Sequence, residues 1–507
     1  MNTLALDHIL NKSKSDITRA DLEKVISDRD LSKITFHYIG IDSKLKELKI
    51  PINYPADAER ILAEGERVDG SSLFKGLIDT SVSDLYVVPL YKTAFINPFD
   101  PKSINFICRF LDRDGNPAPY GLDSILHRAH SLLKKNTGLE LYALGELEFF
   151  LVSDPDNPSF QLNKQHGYHA TAPFTKTGEI LDEMLMYLSQ ITSLVKYAHN
   201  EVGCISRLRS DIPEIKNKQA EQMEIEFLPA NIEDAADYLI LARWLIRNVA
   251  YRHNCVATFA PKIEEGVAGN GFHVHMELRK NGKNIMLDDQ NKISVEAKKL
   301  IGGLCNYAAS LTAFGNTTSS AYLRLVPNQE APTHICWSDS NRSAMIRVPL
   351  AWAGLKNLAN NMNPQQTTKY ENSVGRQTVE LRSPDGSAII HLLLAGITLA
   401  AEWGLKDKSS LKKANDLYIH GNIFKNQDVL KKLPVLPESC VASAEILLKN
   451  RRLYERDNIF PSSIIDFVAG LLNKGNDKNM NQDLADLPAD DRLLQTRRIM
   501  HKDLHRH

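Results

Sequence analysis

The sequence has almost no net charge. Among its 507 residues, 61 lysines and arginines balance 62 aspartates and glutamates, which gives a formal net charge of -1 at pH 7. Proteins that hold nucleic acid or lipid by bulk charge carry a clear positive excess. We therefore expect no nucleic acid and no membrane as a partner, although a local basic patch is compatible with this balance.

Cysteines are also few, and no two of them show the CxxC spacing of a zinc or redox site. Small extracellular proteins that depend on disulfides carry far more cysteines for their length. We therefore expect reduced, mostly buried thiols and a cytosolic setting. The cysteines are Cys108, Cys204, Cys255, Cys305, Cys336 and Cys440.

Long apolar runs are missing as well. The opening residues, MNTLALDHILNKSKSD, lack the apolar core of a signal peptide. The longest apolar run, from Leu392 to Ala401, is about half the length of a membrane helix, and Glu402 ends it. With 43% hydrophobic and 24% charged residues, the composition is that of a globular protein and excludes a disordered or fibrous one. These observations predict a cytoplasmic protein.

Changes of pattern along the chain predict two domains. The segments KITFHYIG and LKELKIPIN, joined by the turn IDSK, alternate as the strands of a hairpin do, and short strands continue to Leu111. The stretch DRDGNPAPYG, from Asp112 to Gly121, is rich in glycine and proline and is the best boundary. We place a small β-rich domain with a leading helix at residues 1–115 and a second domain at residues 116–507.

The second domain mixes helical and strand patterns. The segments Ser124 to Lys135, Asp182 to Ala198 and Ile232 to Arg252 have the period of helices, whereas Leu139 to Val152 is strand-like. No clean βαβ repeat is present, which favours an α+β fold over a doubly wound sheet. The last stretch, Asn473 to His507, is polar and ends in the basic sequence HKDLHRH.

Acids inside strand-like runs are the most informative feature. In GELEFF, Glu146 and Glu148 are two residues apart, so strand alternation points both side chains to one face. Their apolar neighbours would partly bury them, and like charges on a buried face need a cation or a proton. The pattern recurs in MEIEFL, with Glu224 and Glu226, and in VELRSPD, with Glu380. The alternative is an ordinary strand edge that faces solvent.

A glycine-rich segment, GNGFHVH, adds two histidines. His273 and His275 alternate onto one strand face, whereas a lone histidine is usually an ordinary core or surface group. Several carboxylates with a single imidazole suit Mg²⁺ or Mn²⁺ better than zinc. Acids and histidines together therefore predict a site for divalent metal ions.

The segment from Tyr322 to Arg347 contains three arginines, Arg324, Arg342 and Arg347. A guanidinium group binds a carboxylate or a phosphate through two parallel hydrogen bonds. Metal-binding acids combined with such arginines suggest ATP-dependent phosphoryl chemistry. The sequence has no GxxxxGK[ST] motif, which argues against a P-loop enzyme.

Taken together, these motifs resemble the glutamine synthetase family, type I. The match runs from about Ile34 to the low 470s, and although any one motif is weak, eight in the family's order are highly specific. The motifs are VDGSS (68–72), GELEFF (145–150), NEV (200–202), ATFAPK (257–262), GNGFHVH (269–275), LRLVPNQEAP (323–332), NRSAMIRVP (341–349) and VELRSPD (379–385).

The resemblance implies a fold, an assembly and a reaction. The fold is a small N-terminal β-grasp domain followed by a large catalytic domain, which is built on an antiparallel sheet with surrounding helices. Members form two stacked hexameric rings, so a homododecamer is expected, with each active site shared by two subunits. The reaction joins ammonia to the γ-carboxylate of glutamate through γ-glutamyl phosphate, with ATP as a substrate and two to three Mg²⁺ or Mn²⁺ ions per site.

The resemblance also implies roles for individual residues. Two groups of three resemble metal ligands: Glu148, Glu201 and Glu224 near the amino acid, and Glu146, His273 and Glu380 near the nucleotide phosphates. Three further residues would contact glutamate: Gly269, Arg324 and Arg382. Three would face the phosphates, with Arg342 also taking part in catalysis: His275, Arg342 and Arg347.

The resemblance places the ammonium pocket at a boundary between subunits. Asp69 of the neighbouring subunit would bind ammonium and help to remove its proton. Ser72, Tyr168, Glu201 and Glu330 would complete the pocket. Glu330 lies in VPNQEAP, a loop suited to a catalytic flap that closes over the acyl phosphate and excludes water.

The chain departs from the family pattern at several positions. Ala268 stands where an asparagine usually contacts glutamate, and Thr378 stands where an arginine usually lies two residues before Glu380. The segment SRLRSDIPEIKNK, residues 206–218, is an insertion before the strand that carries Glu224. The first two changes bear on the amino-acid and nucleotide contacts, and the insertion has no role in the pattern.

Two alternatives to a glutamine synthetase remain open. One is a sibling ligase that joins glutamate to an organic amine such as a polyamine, but the complete ammonium pocket favours ammonia. The other is a non-enzymatic relative that keeps the ring architecture as a structural or regulatory protein. Such a relative should have lost metal ligands, and none of the six is missing.

Overall fold

Two β-sheets organise the part of the chain that the computed structural model describes, residues 4–155, 159–326, 331–352, 354–370, 375–423 and 427–506. The first sheet has six strands, the last of which ends at Leu111. The second has ten strands and begins at Glu140. We call them the small sheet and the large sheet.

The small sheet forms from the short alternating segments that the sequence predicts. Its part of the chain comprises α1 (Leu6–Leu10), α2 (Arg19–Asp28), β1 (Lys33–Ile39), β2 (Leu45–Pro51), α3 (Pro55–Glu64), β3 (Glu66–Asp69), α4 (Gly70–Leu73), β4 (Asp84–Pro89), β5 (Phe95–Asn97) and β6 (Asp100–Leu111). The strand order is β2-β1-β6-β4-β3, with β5 beside β6. The predicted hairpin is confirmed, since β1 and β2 pair antiparallel with Lys33 opposite Pro51.

The large sheet lies among most of the helices, in the order β14-β15-β16-β12-β7-β9-β8. The strands of this part are β7 (Glu140–Ser153), β8 (Val195–Ile205), β9 (Gln219–Phe227), β10 (Ala230–Asn231), β11 (Val256–Thr258), β12 (Phe272–Lys280), β13 (Lys283–Asn284), β14 (Trp337–Asp339), β15 (Ile346–Val348) and β16 (Val379–Leu381). The helices are α5 (Leu122–Thr137), α6 (Gly178–Thr192), α7 (Ile232–Arg252), α8 (Val295–Gly315), α9 (Ala321–Arg324), α10 (Ile390–Lys406), α11 (Ser410–Asp416), α12 (Gln427–Leu430), α13 (Cys440–Lys449), α14 (Arg452–Glu455), α15 (Ser462–Asn473), α16 (Met480–Ala485) and α17 (Ala489–His501).

The predicted helices are present, but several ends differ, since α5 and α6 begin before the predicted Ser124 and Asp182. The period-3.6 pattern gives the bounds of α7 correctly, but the helix predicted to reach Ala198 ends at Thr192. Ser193 follows in the left-handed conformation, with a φ of 58°, which stops a helix. The residues from Val195 onward then pair with β9 as strand β8.

The two faces of β7 have different neighbours. Gly145 faces α7, because a Cβ atom added there would lie 2.8 Å from Leu239 Cδ2. Leu147 belongs to the same large hydrophobic core. Since side chains alternate along a strand, Glu146 and Glu148 point to the opposite face, away from α7.

A second, small hydrophobic core joins distant parts of the chain. Leu208 and Ile215 of the insertion are fully buried there, with Leu504 from beyond α17 and Phe150 from β7. We call this group the insertion core. It ties the insertion to the strand that carries Glu146 and Glu148.

All six cysteines are free, and five are buried, with Cys255 partly exposed. Among the helices of the described ranges, none has the combination of length and apolar character that a membrane crossing requires.

Candidate active site

Cross-strand pairing brings acids and histidines together on one face of the large sheet. Glu146 of β7, for example, lies between His273 of β12 and Glu226 of β9. Strand alternation explains why these side chains share a face, and the register decides which ones are neighbours. The three rows across the strands are His273–Glu146–Glu226, Glu148–Glu224–His199 and His275–Glu380–Arg347.

This face lines a cavity of about 600 Å³, which is within the usual range for small-ligand sites. Many residues that the sequence singled out line it, namely Glu146, Glu148, Tyr168, Glu201, Glu224, His273, His275, Arg342, Arg347 and Arg382. Several others were not predicted as site residues, among them Lys196, Tyr197, His199, Glu226, Trp352 and Arg376.

Glu146 lies at the centre of the histidine side of the cavity. Its two carboxylate oxygens lie 2.6 Å from His273 Nδ1 and 2.9 Å from His275 Nε2. Burial alone would raise the pKa of Glu146, but the two histidines outweigh burial and hold that pKa well below its usual range. Glu146 is therefore an ionised acceptor in the described structure.

Glu380 lies beside it and is fully buried. Arg347 donates to one of its oxygens over 2.8 Å, and Arg382 donates to the other. Burial opposes ionisation here too, but Arg382 and His275 lower the pKa of Glu380 below its usual value. This side of the cavity thus combines two ionised acids with cationic donors.

On the other side of the cavity, the buried carboxylates of Glu148 and Glu224 lie close to other acids. Glu148 accepts hydrogen bonds from Gly271 N, over 2.8 Å, and from Gln222 Nε2, over 3.1 Å. Burial, and after it the charge of Glu201, nevertheless raises the pKa of Glu148 to about 8. Burial and the neighbouring Glu146 and Glu148 raise the pKa of Glu224 as well. Such crowding of buried acids is relieved by a bound cation.

Three overlapping groups of donors could hold a metal ion, since the ligand atoms of each group lie within 4.8 Å of one another. The groups are Glu146, His275 and Glu380; Glu146, Glu224 and His273; and His199, Glu201 and Glu224. They use the predicted acids but divide them differently from the sequence prediction. Glu148 is in none of these groups, and one of its oxygens accepts hydrogen bonds from Gly271 N and Gln222 Nε2.

His199 is the main functional candidate that the sequence reasoning missed. Its Nε2 atom lies 3.2 Å from Glu224 Oε1, and its Nδ1 atom lies 3.8 Å from Glu201 Oε1. Its ring also lies 4.4 Å from that of His169, centre to centre, beside Tyr168. The signal was present in HNEV, where His199 precedes Glu201 by two residues in a strand-like run.

The glycine loop leaves no room for side chains at two positions. A Cβ atom at Gly271 would lie 2.8 Å from Glu148 Oε1 and 2.9 Å from an Arg324 terminal nitrogen. A Cβ atom at Gly269 would lie 2.4 Å from Pro261 O. Both glycines are therefore required for the loop to approach the acids and Arg324.

Asn270 does not replace the asparagine that the family pattern has before Gly269. The side chain of Asn270 is fully buried and donates to Ala260 O over 2.9 Å, and its oxygen accepts from Gln222. These hydrogen bonds fix the glycine loop in place, and Asn270 does not line the cavity.

Thr378, in the place of the family's arginine, contacts a histidine. Its hydroxyl lies 3.0 Å from His275 Nδ1. Positive charge is instead available from Arg376, which lines the cavity and lies 5.0 Å above the ring of Trp352. Arg324, buried behind the glycine loop, donates to Ser383 O over 3.1 Å.

Asp69 and Ser72 do not line the cavity of their own chain. Asp69 is exposed at the end of β3, where it accepts hydrogen bonds from the Ser71 and Ser72 hydroxyls over 2.7 and 2.6 Å. These bonds, that of Ser72 first, lower the pKa of Asp69 to about 2. Glu330, the predicted flap residue, lies outside the described residues.

Comparisons with known proteins give consistent results. The family model "Glutamine synthetase, beta-Grasp domain" matches residues 30–113, and "Glutamine synthetase, catalytic domain" matches residues 123–469. A glutamine synthetase from Thermus thermophilus is 31% identical over 401 residues, which cover 77% of this chain and 81% of that protein.

Two solved structures share the fold. A glutamine synthetase from Plasmodium falciparum aligns with a TM-score of 0.73 and 20% identity, over 97% of this chain and 99% of that one. The GmaS/ADP complex aligns with a TM-score of 0.69 and 18% identity, over 93% and 98%. At these identities the likeness concerns the fold alone. The predicted arrangement of a small β-grasp domain before a larger α+β domain is confirmed.

Proposed function

The chain belongs to the glutamine synthetase family, and from this premise we propose that it is an ATP-dependent glutamate–ammonia ligase that makes glutamine. The observation that carries the proposal is the cavity of the large sheet. There, buried acids and histidines adjoin arginines that can bind phosphate and carboxylate groups. Phosphoryl transfer between two anionic substrates requires such groups to position the substrates and neutralise their charge.

The donors in the cavity fit divalent metal ions. Carboxylate oxygens with imidazole nitrogens suit Mg²⁺ or Mn²⁺, and the raised pKa of Glu148 indicates negative charge that a cation would compensate. We propose two to three ions, held by Glu146, Glu148, Glu201, Glu224, His273 and Glu380, with His199 as a further ligand. When bound, such ions neutralise the charge of the transferring phosphoryl group.

Buried donors without partners support the substrate assignments. The Nε atoms of Arg347 and Arg382 are buried and have no hydrogen-bond partner among the described residues. Buried donors of this kind are costly unless a ligand satisfies them. We propose that Arg382, with Arg324 and the loop at Gly269, holds glutamate, and that His275, Arg342 and Arg347 face the ATP phosphates.

The proposed reaction has two steps. A γ-carboxylate oxygen of glutamate attacks the γ-phosphorus of ATP, and the bond to ADP breaks, while Arg342 and Arg347 balance the charge. Ammonia then attacks the carbonyl carbon of γ-glutamyl phosphate, and phosphate leaves. Asp69 accepts a proton from ammonium before this attack, and Glu330 helps to shield the acyl phosphate from water.

The ammonium pocket implies an oligomer. Asp69 and Ser72 are exposed and lie outside their own chain's cavity. We propose that they complete the pocket of a neighbouring subunit, beside its Tyr168, Glu201 and Glu330, in a homododecamer. We further propose a cytoplasmic enzyme of nitrogen metabolism whose domains are residues 1–115 and 116–507.

The test is an assay of phosphate release with ATP and glutamate, in which ammonium is compared with a panel of amines. We expect kcat/KM to be highest for ammonium, because the carboxylates of the pocket favour a small cation. A higher kcat/KM for a polyamine or for ethanolamine would instead identify a γ-glutamyl-amine ligase. Absence of turnover with every amine would favour a structural or regulatory relative.

A further inference from the structure

A second cavity lies where the 206–218 insertion meets helix α17. Its volume is about 370 Å³, and none of its lining residues lines the first cavity. Its described lining carries a single carboxylate, that of Asp211. It carries five lysine or arginine side chains, namely Arg209, Lys216, Arg497, Arg498 and Lys502.

Most of this positive charge is not compensated. Arg498 pairs with Asp211 over 3.0 Å, and Arg497 pairs with Glu264 over 3.0 Å. Arg209, Lys216 and Lys502 are exposed, and none has an ion-pair partner in the described ranges. The whole chain carries a formal net charge of -1, so this concentration of cations is local.

The walls of the cavity are held in place before any ligand binds. His501 Nε2 donates to Ile263 O over 2.8 Å, and the Ser210 hydroxyl lies 3.0 Å from Nδ1 of the same ring. The insertion closes on itself, with Leu208 N donating to Lys218 O over 2.7 Å. A site that is already ordered loses less entropy when it binds a ligand.

The cavity belongs to parts of the chain that the family's reaction does not use. The catalytic-domain match ends at residue 469, before α17 begins at Ala489. Residues 206–218 lie within that match, but the motif comparison predicts that they are an insertion relative to the family pattern. Neither segment contributes a residue to the donors and arginines of the first cavity.

We propose that this second cavity binds a small anion that carries several negative charges on phosphate or carboxylate groups. Guanidinium groups bind both kinds of group bidentately, and the flanking lysines add charge without demanding one geometry. The volume suits a small molecule rather than a macromolecule. The proposal does not depend on the ligase activity.

The test is calorimetric titration of the full-length protein with inorganic pyrophosphate and, separately, with citrate. Mg²⁺ is kept in excess and a non-hydrolysable ATP analogue fills the first cavity. We expect saturable binding that weakens as salt is raised. Combined Arg209→Gln, Lys216→Gln and Lys502→Gln substitutions should weaken it about tenfold or more. Preference for pyrophosphate would identify a phosphate ligand, and preference for citrate a carboxylate one.

A matched control has the same change in net charge elsewhere on the surface, with Arg29→Gln, Lys432→Gln and Lys449→Gln combined. It should bind as the wild type does. The bound anion should also slow hydrogen exchange in residues 206–218 and in α17. The proposal is overturned if neither anion binds at physiological salt, if the control loses as much affinity, or if protection occurs only around the first cavity.

Discussion

The two sheets hold their candidate functional carboxylates in opposite environments. In the large sheet, Glu148 is buried beside other acids, and burial followed by the charge of Glu201 raises its pKa to about 8. In the small sheet, Asp69 is exposed, and hydrogen bonds from Ser72 and Ser71 lower its pKa to about 2. The residue types are similar, so the surroundings alone produce the contrast.

The difference shows what each carboxylate can do without a ligand. Burial and neighbouring acids raise the pKa of Glu148 to about 8 and also raise that of Glu224, so a bound cation favours the ionised form of both. The exposed Asp69, with a pKa of about 2, is ionised at physiological pH when nothing is bound to it. A constant negative charge suits a residue that we propose to attract ammonium at a neighbour's site.

The largest expected effect comes from Glu148→Gln. Activity should fall about 1000-fold or more, because we propose that Glu148 binds a metal ion where charge develops in the reaction. The melting temperature of the metal-free protein should stay the same or rise, because a crowded buried acid is removed. Steady-state kinetics and thermal unfolding in a chelator measure the two effects.

Glu140→Gln is the control, on the same strand but paired with Lys134 outside the cavity. It should leave activity near that of the wild type. Near-normal turnover of the Glu148 variant would refute its assignment to the metal site, and a large drop in its melting temperature would show a structural role.

Asp69→Asn should have the next largest effect. It removes the charge but keeps the shape, so kcat/KM for ammonium should fall about 30- to 1000-fold, while the affinity for ATP changes little. Mixing these subunits with Glu148→Gln subunits should restore activity at about one quarter of the sites, if each site combines two neighbouring subunits at random.

The mixing experiment requires proof of subunit exchange, for example by mass spectrometry of differently labelled subunits. If exchange is complete and activity does not return, Asp69 does not serve a neighbour's cavity. Equal losses of ammonium use and ATP affinity in the single variant would also contradict the assignment.

A pH series compares the two kinds of carboxylate directly. The raised pKa of Glu148 means that the folded, metal-free chain keeps a proton that the unfolded chain loses near its ordinary value of 4.5. Stability should therefore fall as pH rises from about 4.5 to about 8. Asp69 has a lowered pKa, so its contribution is already constant above about pH 4.

Melting temperatures measured between pH 5 and pH 8, with a chelator and with saturating Mg²⁺, check this prediction. The fall should be present in the chelator, smaller with Mg²⁺, and smaller in the Glu148→Gln variant. A melting temperature that rises over this range in the chelator would be inconsistent with a protonated cavity acid.

The smallest effect is expected at the rim of the first cavity. Arg376 is exposed and lies over the ring of Trp352, and an exposed contact of this kind is weak. Arg376→Gln should raise the KM for ATP about two- to fivefold and leave kcat nearly unchanged. Arg113→Gln, an exposed change near Asp114, should alter neither constant.

Strand alternation was sufficient to predict which acids share a face, since the two-residue period does not depend on the partner strand. Glu146 and Glu148 were placed correctly on this basis. The cross-strand pairing of His199 with Glu224 could not be predicted, because it depends on the register between β8 and β9. The orientation of Asn270 depends on carbonyl groups of a neighbouring loop, which a pattern of residues does not reveal.

The ends of helices and strands were harder to predict than the presence of a helix or strand. The helical period continues past Thr192, but Ser193 adopts a left-handed conformation and the chain turns into β8. Exposure of Asp69 could likewise not be read from VDGSS, because the motif does not say which sheet surface it faces. Local periodicity predicts which side chains share a face of a helix or strand. Tertiary contacts determine where each helix or strand ends and which residues it packs against.

The insertion core has a consequence for how this sequence can change over generations. Ser210 and His501 are in contact although they are 291 positions apart. Leu504 packs with Leu208 and Ile215, and its carbonyl oxygen accepts a hydrogen bond from the Thr258 hydroxyl over 2.8 Å. Deletion of residues 206–218 would expose Leu504 to water, and deletion of the C-terminal segment that carries Leu504 would expose Leu208 and Ile215. The two segments are therefore expected to be inherited, or lost, as a pair.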